Sequence, residues 1–240
     1  MDDIFLSLVV PAFNEEKRLG ITLNAIHDYL TKMNYPWELI VVDDGSTDRT
    51  SAVAESLIKT MPALSVLRND RNYGKGFSIR NGIFRCRGRY VGFLDADYKT
   101  PIEEISKMLP WLEAGFDVVF GSRGLKASQI EISQPRYRQL GAKLFSMAMH
   151  LIVGLRDIID TQCGFKFFRH DVAQVLFGRQ SIQGYMFDVE ILYLAKNLNY
   201  KLKEVPIRWR NDPDSRLQLV RGNLRNIRDL IGIRRNRKNG

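Results

Sequence analysis

The chain has 240 residues, 45% hydrophobic and 26% charged, which excludes a disordered polymer and allows one α/β domain with a sizeable core. Its two cysteines, Cys86 and Cys163, stand in unrelated contexts, with no CxxC pair or Cys/His ladder, which argues against a disulfide framework or a zinc site. The net charge of +9 gathers at the end, where Arg208 to Gly240 holds ten Arg/Lys against three Asp; anionic lipid, nucleic acid, phosphorylated substrate or plain solvent all suit such a segment.

The opening Met1-Asp2-Asp3 is acidic and runs into an apolar stretch, so no signal peptide is readable. Leu6 to Phe13 reads as a strand that stops at Asn14-Glu15-Glu16, and Leu19 to Met33 as a helix through Leu19, Leu23, Ile26 and Leu30. Glu38 to Val42 is a second strand, stopping at Asp43-Asp44-Gly45-Ser46. Thr50 to Thr60 predicts a helix, Leu64 to Arg68 a strand and Gly76 to Cys86 a helix. Tyr90 to Leu94 is a fourth strand, ending at Asp95. A helix around Ile102 to Ala114 leads to Val118-Val119-Phe120. Beyond it come a helix from Tyr137 to Gly154, a strand at Gly164 to Phe168, a helix from Phe187 to Leu198 and a strand at Val205 to Arg210. The longest apolar run, Leu144 to Leu155, contains His150 and is too short to span a bilayer, so a soluble or peripheral protein is expected.

Short apolar strands alternating with helices predict a mostly parallel sheet covered on both faces, with ligands beyond the carboxyl ends of the strands. Asn14-Glu15, Asp43-Asp44 and Asp95-Ala96-Asp97 all fall at those ends. Asp95 and Asp97, split by a small residue, suit a hard cation such as Mg2+ or Mn2+ that also bridges substrate phosphates; a helix cap or solvated turn is the plainer use of Asp97. One of Asp43 and Asp44 suits a base N–H or a ribose hydroxyl. Lys75, in Asn72-Tyr73-Gly74-Lys75-Gly76, suits phosphate. Neither GxxxxGK[ST] nor GxGxxG occurs, which disfavours a P-loop enzyme and a dinucleotide-fold dehydrogenase.

Taken together, Val9-Val10-Pro11-Ala12-Phe13-Asn14-Glu15-Glu16, Val41-Val42-Asp43-Asp44-Gly45-Ser46, Asn72-Tyr73-Gly74-Lys75-Gly76 and Phe93-Leu94-Asp95-Ala96-Asp97 resemble the family-2 glycosyltransferases with a GT-A fold. Gly121-Ser122-Arg123, Asp160 to Lys166, Phe187-Asp188-Val189-Glu190 and Glu204-Val205-Pro206-Ile207 resemble the branch containing dolichyl-phosphate β-glucosyltransferase and dolichyl-phosphate mannose synthase, with Cys163-Gly164-Phe165-Lys166 leaning to the glucosyl side. The resemblance implies one catalytic domain over residues 1–210, with a donor half to about 125, an acceptor half to about 210 and a basic extension over 211–240. It implies that Pro11, Ala12, Glu15, Asp43, Asp44, Lys75 and Asp95 surround the donor nucleotide. Asp95 and Asp97 would take Mg2+ or Mn2+, and Arg123, Lys166 and Arg216 the acceptor phosphate. Arg216, in Asp214-Ser215-Arg216-Leu217, stands where the branch usually has lysine and offers a planar fork in place of a point charge.

The expected activity is inverting transfer of a hexose, glucose first, from UDP-glucose to a polyprenyl or dolichyl-type lipid phosphate on the cytoplasmic face of an anionic membrane. Asp97 acts through the metal. Asp188 is the base candidate, with Glu190 two residues along a helix and so on another face. Two other readings stand beside it: a glycosyltransferase with a soluble or saccharide hydroxyl acceptor, for which Asp188 as base would matter more, and a non-catalytic nucleotide- or membrane-binding adaptor. Nucleic acid fits poorly with the acidic strand ends. Leu224, Ile227, Leu230, Ile231 and Ile233 interleaved with arginines read either as a membrane-facing amphipathic helix or as one packed on the domain.

Overall fold

Successive residues of the strands bury to opposite sides. Leu6, Leu8, Val10, Leu39 and Val41 join one core cluster, and Val9, Ile40, Val42, Val91 and Phe93 join the other. A strand apolar on both faces needs a cover on each, and the helices supply it. In the computed structural model, which describes residues 3–132, 153–210, 226, 228–230, 232 and 233, the sheet comprises β1 (Leu6–Ala12), β2 (Trp37–Asp43), β3 (Leu64–Arg68), β4 (Tyr90–Leu94), β5 (Val118–Ser122), β7 (Phe165–Arg169) and β8 (Leu202–Pro206). Helices α1 (Leu19–Leu30) and α2 (Thr50–Leu57), a 3-10 helix (Ile102–Lys107) and α4 (Leu109–Glu113) pack on one face. The other face holds α3 (Lys75–Ile83), α5 (His170–Arg179) and α6 (Phe187–Asn197).

Strand order is β3-β2-β1-β4-β7-β5-β8. All neighbours are parallel except β7, which runs antiparallel between β4 and β5, pairing Leu94 with Phe165 and Phe120 with Lys166. The sheet is therefore mostly parallel as expected, and the reversed strand has a positional effect. Its first residues, not its last, lie beside the carboxyl end of β4, so the Cys163-Gly164 approach to β7 meets Asp95.

Three expectations needed revision. The strand read over Val205 to Arg210 is two strands: β8 pairs with β5, whereas β9 (Arg208–Arg210) pairs with β6 (Gln129–Ile132) in a separate two-stranded sheet. The helix read over Ile102 to Ala114 is interrupted at Met108: its first part, Ile102–Lys107, is 3-10, and α4 starts anew with Pro110 in its first turn, where a missing N–H is tolerated. Helix α5, not anticipated, buries Val172, Ala173, Leu176 and Phe177 at helical spacing.

The helix expected from Tyr137 to Gly154 and the tail with Arg216 lie outside the described residues, apart from Val153, Gly154 and a few positions near 230. At those last positions Leu230 and Ile233 are buried in the core beside α5 and α6, while Arg228 is exposed. These two side chains thus pack on the domain. Among the described residues no helix is long and apolar enough to cross a membrane.

Candidate functional site

The ends of β1 and β2 are laced to each other. Asn14 takes a left-handed backbone (φ 55°), its N–H donates to Ser46 Oγ (2.9 Å), and its Oδ1 accepts from the Thr47 N–H (2.9 Å). The Glu15 N–H donates to Thr50 Oγ1 (2.7 Å), and the Asp44 N–H to the Ala12 carbonyl (2.8 Å). Pro11 and Ala12 therefore form a fixed floor, paired in register with Val42 and Asp43. The Glu15 carboxylate is engaged by both Arg18 Nε and Nη2 at 2.7 Å.

Asp43 and Asp44 do different work. Asp44 accepts from Asn69 Nδ2 (2.8 Å), the Tyr73 N–H (3.0 Å) and the Gly74 N–H (2.8 Å). It is a loop organiser: it shapes residues 69–74 and so sets the start of α3. Asp43 Oδ1 accepts from the Ser46 N–H (3.0 Å), but its buried Oδ2 accepts no hydrogen bond, and Arg68 Nε stands 3.5 Å away, too far for one. A buried carboxylate oxygen with an ion pair but no hydrogen bond is under-satisfied, which makes Oδ2 an acceptor in want of a donor.

The glycines flanking Lys75 are required by a close approach. Gly74 sits at φ 106°, where a Cβ would run into the Gln183 carbonyl, and a Cβ on Gly76 would meet Phe187 Cβ and the Ile182 carbonyl. The α3 N-terminus thus abuts the segment that leads into α6 and Asp188. Burial alone would lower the pKa of Lys75, but Asp95 and Asp188 outweigh it and hold the ammonium above the ordinary lysine value.

At the end of β4 each carboxylate is paired with an ammonium: Lys75 Nζ lies 2.5 Å from Asp95 Oδ1, and Lys99 Nζ 2.6 Å from Asp97 Oδ2. Tyr98 at φ 52° folds the chain back, so the Lys99 N–H also reaches Asp97 Oδ1 (3.4 Å). A Cβ on Gly164 would overlap the Asp95 carboxylate, so glycine at this point of the Cys-Gly-Phe-Lys run lets β7 pass behind Asp95. Among the described residues no three His, Cys, Asp or Glu side chains converge on one point. The site offers two hard carboxylate donors that already hold cationic groups. That set fits Mg2+ or Mn2+ when a substrate diphosphate supplies further oxygens.

The acceptor side is built from buried pairs. Lys166 has no exposed surface; its Nζ donates to Asp188 Oδ1 (2.6 Å) and to the Cys163 carbonyl (2.5 Å). The direct phosphate contact expected of Lys166 is therefore corrected: its ammonium is an internal strut. Burial pushes the Asp188 carboxyl up, an effect that Lys166 and Lys75 only partly offset. Arg123 grips Asp160 through Nε (2.7 Å) and Nη2 (2.8 Å) and lies 5.5 Å from the Trp209 ring centroid. Asp160 is oriented in turn by Glu204, which accepts from the Ile159 and Asp160 N–H groups (3.0 and 2.8 Å). Glu190 caps the loop before α6, accepting from the Ser181 and Ile182 N–H groups (3.0 and 2.8 Å), and so faces away from Asp188 as the helical spacing required. Burial also pushes the Cys163 thiol up to about 12.

Sequence reasoning missed Lys99, Gly164 and Asn69. Lys99 stands two residues past Asp97, and a lysine so close in sequence carries no signal of its own until the left-handed Tyr98 turns it back. The contact that explains Gly164 depends on the reversed direction of β7.

The glycosyl transferase family 2 model matches residues 7–177. A dolichyl-phosphate beta-glucosyltransferase of Trichomonas vaginalis is 34% identical over 243 residues, covering 96% of this chain and 73% of its own. The human enzyme of that name is 33% identical, over 95% and 74%. Among solved structures, glucosyl-3-phosphoglycerate synthase from Mycobacterium tuberculosis in complex with UDP superposes with a TM-score of 0.71 at 20% identity, over 96% of this chain and 80% of that one. The same enzyme with Mn2+, UDP and glucosyl-3-phosphoglycerate gives 0.65 at 20% identity, over 88% and 73%. These structures share the GT-A arrangement of strands and helices described above.

Proposed function

The chain belongs to glycosyl transferase family 2, and from that membership we propose that it transfers glucose from UDP-glucose to a dolichyl- or polyprenyl-type lipid phosphate, with inversion to a β-linked product. The observation that carries this reading is the run of dolichyl-phosphate beta-glucosyltransferases that align at 30–35% identity over at least 95% of the chain.

The site supplies matching chemistry. Asp43 Oδ2 is the acceptor for a uracil N–H or a ribose hydroxyl, reached when the half-exposed Arg68 swings aside. Lys75, already drawn to Asp95, sits where a diphosphate would need a cation. When bound by Asp95 and Asp97, Mg2+ or Mn2+ supplies Lewis-acid stabilisation to the diphosphate leaving group, and the Mn2+- and UDP-bound structure of the mycobacterial synthase supports such a metal. A phosphate monoester is already anionic near neutral pH, so its attack needs little general-base help. Asp188 is then better used in fixing Lys166 and biasing Lys75 than in taking a proton. Arg123, held flat by Asp160 and Trp209, and Arg216 guide the acceptor phosphate. The basic tail supports peripheral binding to an anionic, cytoplasm-facing membrane surface.

Purified protein, Mn2+ and radiolabelled UDP- and GDP-sugars with a short polyprenyl phosphate test the reading by label in the organic phase. Metal-dependent label from UDP-glucose, lowered roughly a hundred-fold in Asp97→Ala, is the expected result. Label that appears only in water-soluble products would transfer the activity to a soluble acceptor.

A further inference from the structure

The lysine that follows the two metal-site aspartates has a job of its own. Lys99 binds Asp97 twice, through Nζ to Oδ2 (2.6 Å) and through its N–H to Oδ1 (3.4 Å). This chelation is built in. The left-handed Tyr98 returns the chain, and the Lys99 carbonyl is anchored by the Arg210 N–H at the end of β9 (2.9 Å). Both partners are mostly shielded, with side-chain exposures of 17% and 15%, so water does little to loosen the pair. Lys75 on Asp95 differs: it emerges from α3 and is also drawn by Asp188.

We propose that Lys99 is an internal competitor for the metal, its ammonium occupying the Asp97 oxygens that a divalent cation must take, so that it sets metal affinity and ties metal loading to the arrival of a diphosphate. This rests on the reading that Asp95 and Asp97 hold the metal. A cation entering alone has to displace Lys99 and leave an unpaired ammonium beside a dication. A cation entering with a nucleoside diphosphate gives that ammonium new anionic oxygens to face, so metal and donor bind together more readily than either does alone.

Removing one unit charge close to a dication is worth roughly ten-fold in affinity even at a water-like dielectric. Mn2+ titrations without nucleotide, read by the electron paramagnetic resonance signal of free Mn2+, should therefore show Lys99→Met and Lys99→Gln binding Mn2+ about ten-fold tighter than the unsubstituted protein. A gain of affinity is not a symptom of misfolding, and two variants of different polarity guard against a local repacking artefact. The gain should vanish when Asp97→Asn is added. Equal Mn2+ affinity with and without the Lys99 substitutions, alongside weakened binding in Asp97→Asn, would overturn the competitor role and leave the metal site standing. Mn2+ binding indifferent to Asp97→Asn would remove the metal site and the competitor with it.

Discussion

The donor and acceptor sides use the same pairing of carboxylate with cation, but in different surroundings. At the end of β4, Asp95 keeps 38% of its side chain exposed and its partner Lys75 18%, so the pair stands open to another anion. Across β7, Lys166 is fully buried and Asp188 nearly so, with no water to replace either partner. Coulomb attraction is present in both places, yet only the second pair is fixed, because separating charges in a dry interior is expensive. The partly exposed pairs are thus the exchangeable ones, suited to a site that must release and accept cations. The buried ones hold the shape of the site.

The contrast is broken most severely at Lys166. Lys166→Met leaves Asp188 buried without its cation and should cost about 3–5 kcal/mol in denaturant unfolding, whereas Lys166→Met with Asp188→Leu should recover much of that. A double variant as unstable as the single one would mean the pair is not the strut described. A smaller effect is expected at Asp160, whose pKa burial raises but Arg123 lowers by more, leaving it below the ordinary aspartate range. A depressed carboxylate pKa stabilises the fold above its unfolded value, about 3.9, and that contribution is lost as pH falls through the folded value. Asp160→Asn should therefore melt earlier at neutral pH, by about 2 kcal/mol, and the gap to the unsubstituted protein should close as pH falls towards 2. A gap that persists undiminished in acid would assign the loss to packing. The smallest stability effect, about 1 kcal/mol, is expected from Gly164→Ala, where a methyl group presses on Asp95. Its sharper signature is weakened Mn2+ binding, and unchanged binding would show that β7 gives way more easily than the carboxylate.

Much of the donor side was legible because it is local. Strand ends in a parallel sheet share one edge, so Asn14, Asp43 and Asp95 could be gathered from spacing alone. The division of labour between Asp43 and Asp44 could not, since adjacent carboxylates are alike until Asn69, Tyr73 and Gly74 arrive from another loop. Lys166 misled for a related reason. A lysine in a polar landmark looks like a phosphate ligand, and only the inward face of β7 and the position of α6 reveal Asp188 as its partner. The split of Val205 to Arg210 between two sheets was equally hidden, because β9 finds its partner in β6, a strand of only four residues, too short for its alternation to stand out.

Strand β7 also has a bearing on synthesis. A ribosome delivers β1 to β5 first, but β4 and β5 are not hydrogen-bonded neighbours; the slot between them waits for residues 165–169. Until then, one edge of β4 is an open row of amide and carbonyl groups next to an aromatic interior that includes Phe93. A nascent chain paused before β7, or a fragment ending with the donor half, is thus the form of this protein most prone to stick to its own copies, and the form on which a chaperone has most to shield.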